Sequence, residues 1–491
     1  MPKVLFLALP TRFQTGKIKA NNFPLMGIAY LISYLKERNI DSRTLDLSLD
    51  YGNKEKAVAS CINEYKPDII GLSLFSNIAT EGVKIANFIK KNYSMPIVAG
   101  GPHISCTKEG FLKKSGVEYG VTKEGERPLY NLVKTLFLEN GAEEERKKAL
   151  YNIKGLIFKD SNGEYVINEN DDLIEDIDSI PYPAFYSCEM DNYTDFRNKH
   201  LTIITSRGCP YLCSYCAAPL CTGRKFRMRS AKSVVDEMEH WKRYGFKSFG
   251  IFDDSFNQDI ARAKDICRQI LERKLDITFD LYNGMRANRV DEELFSLLKK
   301  AGCTFVGFGM ESGNEEILKS IGKSLRKEDM VRAVSLANAV GMGSAVNFIL
   351  GHPHETYETA MDTLNFARSL KCSYVNIYSL VPFPGTKAYE TLKKTAKFFY
   401  DEDYYLTFFG GYSIEPIFET KELTRKQRIK LYKMGRNICK KRIFQFRFGK
   451  VWGSVVYVLL YNDKLFNLAH YIKENTEWLN RIYYKFRKGA K

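Results

Sequence analysis

Short apolar segments alternate with longer amphipathic segments along residues 1–400 of this 491-residue chain. Strands that alternate with helices predict parallel sheets with right-handed crossovers, because parallel neighbours cannot be joined by a tight turn. Within residues 1–140, five strands are predicted, at Lys3–Leu9, Thr44–Leu47, Ile69–Leu74, Pro96–Ala99 and Val117–Val121. Six more are predicted further on, at Thr202–Thr205, Ser248–Phe252, Ile277–Leu281, Thr304–Phe308, Ala345–Leu350 and Tyr374–Tyr378. The pattern therefore predicts an α/β protein, with a doubly wound sheet first and a partial (β/α)6 barrel second.

A linker is predicted between the two α/β regions, and a helical extension after them. We place the four regions at residues 1–140, 141–198, 199–400 and 401–491. The linker contains a predicted β-hairpin, with strands at Gly155–Phe158 and Tyr165–Ile167 and a turn at residues 160–163. Ligands of both fold types bind beyond the carboxyl ends of the strands, so residues just after each strand are the site candidates.

The formal net charge of +16 is concentrated at one end of the chain. From Lys421 onward lie 19 of the 74 basic residues but only 4 of the 58 acidic residues. The preceding residues are nearly neutral, which argues against nucleic acid as the partner of the first 420 residues. The basic, aromatic-rich tail, which ends with Tyr483, Tyr484 and Phe486, is open to three interpretations. It is a solvated cap on the barrel or a peripheral contact with an anionic membrane. An RNA contact or a contact with a charged soluble substrate or protein partner completes the three interpretations.

Cellular location is predicted from two features of the sequence. Neither a run of 18 apolar residues nor a secretory signal is present, so a membrane-spanning helix is not expected. The 11 cysteines are an odd number in a long chain, which favours reduced thiols, some of them metal ligands. We therefore expect a cytoplasmic protein. Its basic tail is a candidate for contact with the inner face of the membrane.

Cys209, Cys213 and Cys216 lie within one short segment, just after the first predicted barrel strand. Three thiols at this spacing can wrap a single metal centre, and soft thiolates favour zinc or iron–sulfur clusters. Structural zinc usually takes four ligands, and Cys221 is the nearby candidate for a fourth. A [4Fe–4S] cluster with three protein ligands instead leaves one iron open to a substrate or cofactor.

The aromatic Tyr215 directly before the last of these cysteines completes a Cys-x3-Cys-x-aromatic-Cys pattern. This pattern resembles the defining loop of the radical S-adenosylmethionine superfamily. The resemblance implies a [4Fe–4S] cluster whose open iron chelates S-adenosylmethionine, and reductive cleavage of that cofactor to a 5′-deoxyadenosyl radical. Such a radical abstracts an unactivated hydrogen, which protein side chains alone cannot do. The resemblance also implies an electron donor such as flavodoxin or ferredoxin.

By the same resemblance, residues after the next barrel strands are expected to bind S-adenosylmethionine. Asp253 and Asp254 follow the second strand, where the superfamily binds the amino group, and a carboxylate suits an ammonium. Paired aspartates at a strand end can also simply cap the next helix. Arg286 follows the third strand and is expected to reach the methionyl carboxylate or to form a structural ion pair. Glu311 follows the fourth strand and is expected to bind a cofactor hydroxyl or to fix Arg286.

The last two barrel strands carry the adenine-side candidates of the resemblance. Gly351 follows the fifth strand and Val381 the sixth, and Tyr215 is grouped with them as an S-adenosylmethionine contact. For Val381 a plain core role is the alternative. His352 and His354, on the loop after the fifth strand, are further candidates for acid–base chemistry; metal binding by this pair is the alternative, but its spacing lacks a third ligand.

The first domain resembles the cobalamin-binding, Rossmann-like domain that precedes the barrel in many radical enzymes. Residues 23–27 resemble the loop before its first helix, which includes Leu25. The positions expected at its ligand-binding edge are Leu25, Ser73, Gly100, Gly101, His103 and Gly125. The chain lacks the Asp-x-His-x-x-Gly loop whose histidine ligates cobalt, so the resemblance implies base-off cobalamin without the usual lower histidine. His103 is interpreted either as a solvated loop residue or as a group beneath the corrin.

Together the two domains resemble cobalamin-dependent radical S-adenosylmethionine enzymes, which include methyltransferases and the anaerobic porphyrin ring cyclase. The resemblance predicts methylation of an unactivated carbon in a small-molecule or lipid-like substrate. Ring closure, hydroxylation or C–C bond formation with the same cofactors stays open as an alternative. RNA methylthiolation is disfavoured because its enzymes need three more cysteines in the first domain, which has only Cys61 and Cys106. A non-catalytic iron–sulfur protein is disfavoured because it would have no use for the barrel motifs.

Overall fold

A computed structural model describes residues 1–12, 18–19, 23–49, 52–139, 142–187 and 190–459. The N-terminal sheet has seven strands in the order β4-β1-β5-β6-β7-β8-β9. In chain order the strands of this region are β1 Lys3–Ala8, the ribbon β2 Thr11–Arg12 and β3 Ile18–Lys19, β4 Asp41–Asp46, β5 Ile69–Ser73, β6 Ile97–Gly100, β7 Tyr119–Val121, β8 Leu156–Lys159 and β9 Tyr165–Ile167. The helices between them are α1 Met26–Lys36, α2 Lys54–Tyr65, α3 Ala79–Asn92, α4 Pro102–Thr107, α5 Glu109–Ser115, α6 Glu126–Phe137 and α7 Glu143–Leu150.

The first sheet is covered by helices on both faces, because successive side chains of a strand point to opposite sides. Along β1, Leu5 and Leu7 belong to one apolar cluster, with residues of α2, α3 and α5. Val4 and Phe6 belong to the opposite cluster, with residues of α1 and α6. The five predicted strands are parallel neighbours, so the doubly wound architecture predicted from the sequence is confirmed.

The hairpin predicted in the linker is present as β8 and β9. It does not stand alone, because β8 pairs antiparallel with β7 and extends the edge of the first sheet. The sheet of the first domain therefore continues past residue 140. The pattern of short apolar strands reveals the hairpin, but the edge on which a hairpin docks depends on contacts that are distant in sequence.

The second sheet has six parallel strands in sequential order and stays open, as expected for a partial barrel. Its strands are β10 His200–Ile203, β13 Ser248–Ile251, β14 Thr278–Met285, β15 Cys303–Glu311, β16 Gly343–Leu350 and β17 Tyr374–Ser379, and the short ribbon β11 Ser206–Arg207 and β12 Arg227–Met228 stands apart from them. Its helices are α8 Thr194–Arg197, α9 Ala218–Thr222, α10 Ala231–Arg243, α11 Ile260–Glu272, α12 Glu292–Lys300, α13 Glu315–Ser320, α14 Lys327–Ala339, α15 Tyr357–Ser369 and α16 Lys387–Thr395. Side chains cap the first turns of six of these helices, at Ser230, Asp259, Asp291, Asn314, Thr356 and Thr386.

The C-terminal extension is helical, as predicted, as far as the structure describes it. It contains the small ribbon β18 Lys397–Phe398 and β19 Phe418–Glu419 and the helices α17 Glu402–Phe408, α18 Arg425–Phe448 and α19 Lys450–Leu459. Helix α18 packs along β17 and α15 and then meets α19. The aromatic residues Tyr483, Tyr484 and Phe486 lie outside the described residues. In the part of the chain that the structure describes, no helix is long and apolar enough to cross a membrane.

Candidate active site between the two domains

The three predicted cluster cysteines lie on one irregular loop between β11 and α9. Each of their side chains is half-buried. The loop is held by its neighbours: the Ser214 amide donates to the Ile321 carbonyl at 2.8 Å, and the Ser214 carbonyl accepts from the Ala388 amide at 2.8 Å. Gly322 has φ near +69°, and a Cβ at this position would lie 2.8 Å from the Leu212 carbonyl oxygen. The loops beyond two later barrel strands therefore fix the cysteine loop at the carboxyl end of the barrel.

The thiols of this loop influence one another. Burial, together with the neighbouring Cys213 and Cys209, raises the pKa of Cys216 to about 12. Burial also raises the pKa of Cys209, and Asp254 adds to the effect. Binding of a metal as thiolates therefore releases protons. Within the described ranges, no three His, Cys, Asp or Glu side chains are grouped closely enough to hold a metal ion.

The donor set nevertheless fits an iron–sulfur cluster, because three soft thiols share one anchored, half-buried loop. The candidate fourth thiol points elsewhere. Cys221, on α9, lies beside Cys106 on α4 of the first domain, and each thiol shifts the pKa of the other. The pair of Cys221 and Cys106 thus lies where the cysteine-loop region packs on the first domain.

Asp253 and Asp254 follow β13, as predicted, but they have different surroundings. The Asp253 carboxylate is buried and accepts three hydrogen bonds, from the Thr205 amide at 2.6 Å, the Thr205 hydroxyl at 2.5 Å and the Ser206 hydroxyl at 2.6 Å. Asp253 therefore anchors the start of the cysteine loop. Asp254 is solvent-accessible but lies in a protein-walled cleft, so desolvation raises its pKa and the charge of Asp253 raises it further. Of the pair, Asp254 is the carboxylate that a ligand can reach.

Glu311 and Arg286 do not pair with each other, so the alternative in which Glu311 fixes Arg286 is wrong. The Glu311 carboxylate instead pairs with the Lys323 ammonium at 2.9 Å, and both side chains are largely buried. Lys323 also donates to the Tyr215 hydroxyl at 3.4 Å. Arg286 lies over the Tyr211 ring at 3.4 Å and donates to the Lys323 carbonyl at 3.0 Å. Arg286 thus supports the cysteine loop and the loop after α13 together.

Lys323 was not predicted from the sequence, although it stands at the centre of this cluster. It lies 12 residues after Glu311, beyond the short helix α13, and no local motif marks it. Glu311 itself has φ near +72°, a strained value for a residue with a side chain. Strain of this kind persists only where the surrounding contacts fix it, and here the buried ion pair with Lys323 does so.

The adenine-side candidates divide between the cleft and the C-terminal extension. Val381 packs against the same apolar cluster as Tyr215 and Ile349, which agrees with the core role given as its alternative, and its contact with the adenine stays a prediction. Gly351 has φ near +98° and faces α18, where a Cβ would lie 2.5 Å from Nη1 of Arg428. Gly351 therefore permits close approach of the extension.

The two histidines of the same loop also differ. The His352 ring is fully buried, 5.5 Å from the Tyr215 ring, and burial lowers its pKa to about 4. Among the described residues, neither of its ring nitrogens has a hydrogen-bond partner. His354 is exposed. Of the two acid–base candidates, His352 is the one that faces the cysteine loop, and it is neutral near pH 7.

The cobalamin-binding candidates gather at the carboxyl edge of the first sheet. Ser73 and Gly100 are register partners at the ends of β5 and β6. Gly101 has φ near +97°, and a Cβ there would lie 2.8 Å from the Leu74 carbonyl oxygen, so only glycine fits. Leu25 and Gly125 are the residues directly before α1 and α6. Four strand-to-helix turns thus converge on one edge.

His103 lies on α4 and is 5% exposed, so its interpretation as a solvated loop residue is wrong. Its Nδ1 is 3.1 Å from the Ser76 hydroxyl, and burial lowers its pKa to about 4. The sequence shows a histidine after a glycine pair but does not show that α4 begins there with Pro102 and turns the ring inward. A place for His103 beneath the corrin stays a prediction.

A buried ion-pair network joins the two domains beside the cysteine loop. Arg227 donates to both oxygens of Glu124, at 2.9 and 2.5 Å, and Arg207 donates to Glu126 at 2.7 Å. Arg207 and Arg227 are paired residues of the ribbon β11–β12, which brackets the cysteine loop. Burial alone would raise the pKa of Glu126, but the Arg207 guanidinium outweighs it and holds that pKa below its usual value. These pairs are separated by 81 and 103 residues, so no sequence motif could reveal them.

Comparison with known proteins agrees with this division of the chain. Residues 203–367 match the Radical SAM superfamily model, and residues 19–133 match the B12 binding domain model. An uncharacterized methyltransferase of Pyrococcus horikoshii is 30% identical over 396 residues, which is 79% of this chain and 82% of the relative. The anaerobic magnesium-protoporphyrin IX monomethyl ester cyclase of Rubrivivax gelatinosus is 28% identical over 82% of this chain and 72% of its own length.

Among solved structures, the fold is similar to the radical S-adenosylmethionine methyltransferase TsrM of Kitasatospora setae. The TM-score is 0.69 at 22% sequence identity, and the match covers 85% of this chain and 81% of that one. The predicted order of a cobalamin-binding domain followed by a radical barrel is therefore confirmed, as are the three predicted cofactors. The chain belongs to the radical S-adenosylmethionine superfamily, among the enzymes that carry a B12-binding domain and depend on a [4Fe–4S] cluster, S-adenosylmethionine and cobalamin.

Proposed function

We propose that the chain methylates an unactivated carbon of a small-molecule or lipid-like substrate. When bound, the cofactors supply the hydrogen-abstracting radical and a transferable methyl group, chemistry that lies beyond protein side chains. Two of the similar proteins, the Pyrococcus relative and TsrM, are named as methyltransferases, which supports this choice of reaction. The observation that carries the proposal is the placement of the two candidate sites on either side of one interface.

That interface brings the cysteine loop close to the carboxyl edge of the first sheet. Glu124 and Glu126 flank Gly125 on the cobalamin side, and their partners Arg207 and Arg227 flank the cysteine loop on the barrel side. The packing of α4, which carries Cys106, against α9, which carries Cys221, makes a second contact. A methyl donor and a radical source held across one cleft can act on the same substrate atom, which is the geometry that methylation requires.

The residues of this cleft suit S-adenosylmethionine. Asp254 offers a reachable carboxylate for the amino group. The ion pair of Lys323 and Glu311 holds the Tyr215 side of the cysteine loop. The apolar wall made by Val381 and Tyr215 suits a nucleobase. We propose that Asp253 and Arg286 act as positioning residues for the cysteine loop.

Labelled methyl groups test the proposed reaction directly. The full chain is reconstituted anaerobically with iron, sulfide and hydroxocobalamin, then supplied with methyl-labelled S-adenosylmethionine, a reductant and fractionated metabolites and lipids. We expect label in a product together with release of 5′-deoxyadenosine, and neither in a Cys213→Ala variant. A product that forms with release of 5′-deoxyadenosine but without label would contradict methylation.

That contradicting result would favour the second candidate function, in which the same cofactors close a ring, hydroxylate or form a C–C bond. The relative named as a magnesium-protoporphyrin monomethyl ester cyclase supports this candidate, because the match spans most of both chains. Both candidate reactions need an external electron, and we propose flavodoxin or ferredoxin as the electron donor. We also propose that the enzyme is located in the cytoplasm. Reduction of the reconstituted chain by either carrier, followed spectroscopically, tests the choice of donor.

A further inference from the structure

The hinge between α18 and α19 forms an exposed apolar surface, which we call the hairpin tip and define as residues 446–455. Its exposed large side chains are Phe446, Phe448, Val451, Trp452 and Val455. Val451 and Trp452 are 73% and 70% exposed. Contiguous exposed apolar side chains on a protein surface usually mark an interaction site.

The hairpin tip is a defined structure between packed helices. Gly449 has φ near +76°, which lets the chain reverse between α18 and α19. Gly453 permits close crossing of the two helices, because a Cβ there would lie 2.3 Å from the Phe444 carbonyl oxygen. Gln445 donates to the Ser454 hydroxyl at 3.0 Å across the same junction. The apolar side chains are thus presented by a folded turn.

The segment that contains the hairpin tip carries charge of a single sign. Residues 423–462 contain 11 Lys and Arg and no Asp or Glu. Lys441 and Arg447 are exposed close to the tip. Exposed tryptophan and phenylalanine ringed by cations match the interface of an anionic bilayer, where apolar groups enter the acyl boundary and cations meet phosphates.

The hairpin tip lies at the opposite end of the barrel from the cysteine loop. At the start of α18, Arg428 donates to the carbonyl of Gly351, which directly follows β16. At the other end of the helix, the Phe446 ring lies 4.7 Å from that of Tyr374, the first residue of β17. The rise of an α-helix separates Arg428 from Phe446 by roughly 27 Å. A surface that binds the tip therefore faces away from the active-site cleft.

We propose that the hairpin tip docks the enzyme on an anionic phospholipid bilayer, with the active site turned toward the cytoplasm. The contact tethers the enzyme and does not open its cleft onto the bilayer, so it is independent of which reaction the cofactors perform. A lipid-like substrate would still have to leave the bilayer to reach the cleft.

Vesicle flotation of the reconstituted full chain tests the proposal. We expect binding to phosphatidylcholine vesicles that contain a quarter phosphatidylglycerol, little binding to pure phosphatidylcholine, and weaker binding as salt rises. Each cation near such a surface contributes roughly fivefold in binding, so the double variant Lys441→Gln, Arg447→Gln should lose roughly 25-fold. Trp452→Ser should lose at least about fivefold.

Matched variants elsewhere on the surface control for charge and apolarity. Lys91→Gln, on α3 of the first domain, with Lys394→Gln removes the same charge, and Val331→Ser can be compared with Val451→Ser, because both valines are exposed. These controls should bind vesicles like the parent, and all variants should keep the parent's melting temperature and iron content. Equal binding to both vesicle types, no binding to either, or equal losses in controls and tip variants would overturn the proposal. A concentration-dependent dimer that Trp452→Ser dissolves would identify a second copy as the occupant and would also overturn it.

Discussion

The interdomain ion-pair network makes a strong prediction for Arg227→Met. Arg227 is almost fully buried and donates four hydrogen bonds, two to Glu124, one to the Ile174 carbonyl at 2.9 Å and one to the Thr222 carbonyl at 2.8 Å. Methionine has a similar length but donates nothing, so Glu124 keeps only the longer 3.4 Å contact with Arg207.

Removal of one partner from a buried pair costs about 3–5 kcal/mol, because the other charge stays buried without compensation. We therefore expect the free energy of unfolding, measured by urea titration with circular dichroism, to fall by that amount. Cobalamin affinity should fall as well, because the turn that holds Gly125 loses its anchor to the barrel.

Arg243→Met is the matched control. Arg243 pairs with Glu239 at 3.3 Å on an exposed helix surface, where its side chain is 74% accessible. Such surface pairs contribute about 0–1 kcal/mol. The double variant Arg227→Met, Glu124→Met should recover part of the loss, since it leaves no lone charge at that pair. If Arg227→Met were no more destabilising than Arg243→Met, the network would not hold the domains together.

Substitutions at Cys213, Lys323 and Glu355 make three further predictions. Cys213→Ala should abolish bound iron after reconstitution while leaving the helical circular dichroism unchanged, and full iron content would contradict its role as a ligand. Lys323→Met should destabilise the chain by about 3 kcal/mol and weaken S-adenosylmethionine binding, because Glu311 stays buried and unpaired. Lys323→Arg should retain most of the stability and most of the S-adenosylmethionine affinity. If Lys323→Met changed neither quantity, the ion pair would be unimportant. Burial raises the pKa of Glu355 from 4.5 to about 7, so the folded state binds this proton more tightly than the unfolded state does. The resulting contribution to the free energy of unfolding, up to about 3 kcal/mol, is fully present below pH 4.5 and is lost as the pH rises through 7. Glu355→Gln should remove this slope from urea titrations at different pH values, and parallel profiles for variant and parent would exclude it.

The features predicted correctly from the sequence are those encoded locally. Most strands of the two main sheets contain a short apolar run, and the cysteine spacing lies within a single loop, so neighbouring residues suffice to reveal them. The positions of Asp254 and Val381 after barrel strands could be predicted, because parallel strands bring their carboxyl ends to one edge of a sheet. The position of Gly100 and Gly101 at the edge of the first sheet could be predicted for the same reason.

The features that sequence reasoning missed depend on contacts between distant segments. Lys323 reaches Glu311 only because a short helix turns the chain back over the cysteine loop. Glu124 meets Arg227 only after both domains are folded and docked. His103 was misread because its exposure depends on how α4 packs. Tertiary packing determines each of these contacts, and no local pattern of residues in the sequence predicts them.

The metal content of the anaerobically reconstituted full chain tests the central claim most directly. One [4Fe–4S] cluster and one cobalamin should give about four iron atoms and about one cobalt atom per chain. Bound zinc in place of iron, about eight irons, or iron without cobalt would contradict the assignment of one cluster to the cysteine loop and one cobalamin to the N-terminal domain.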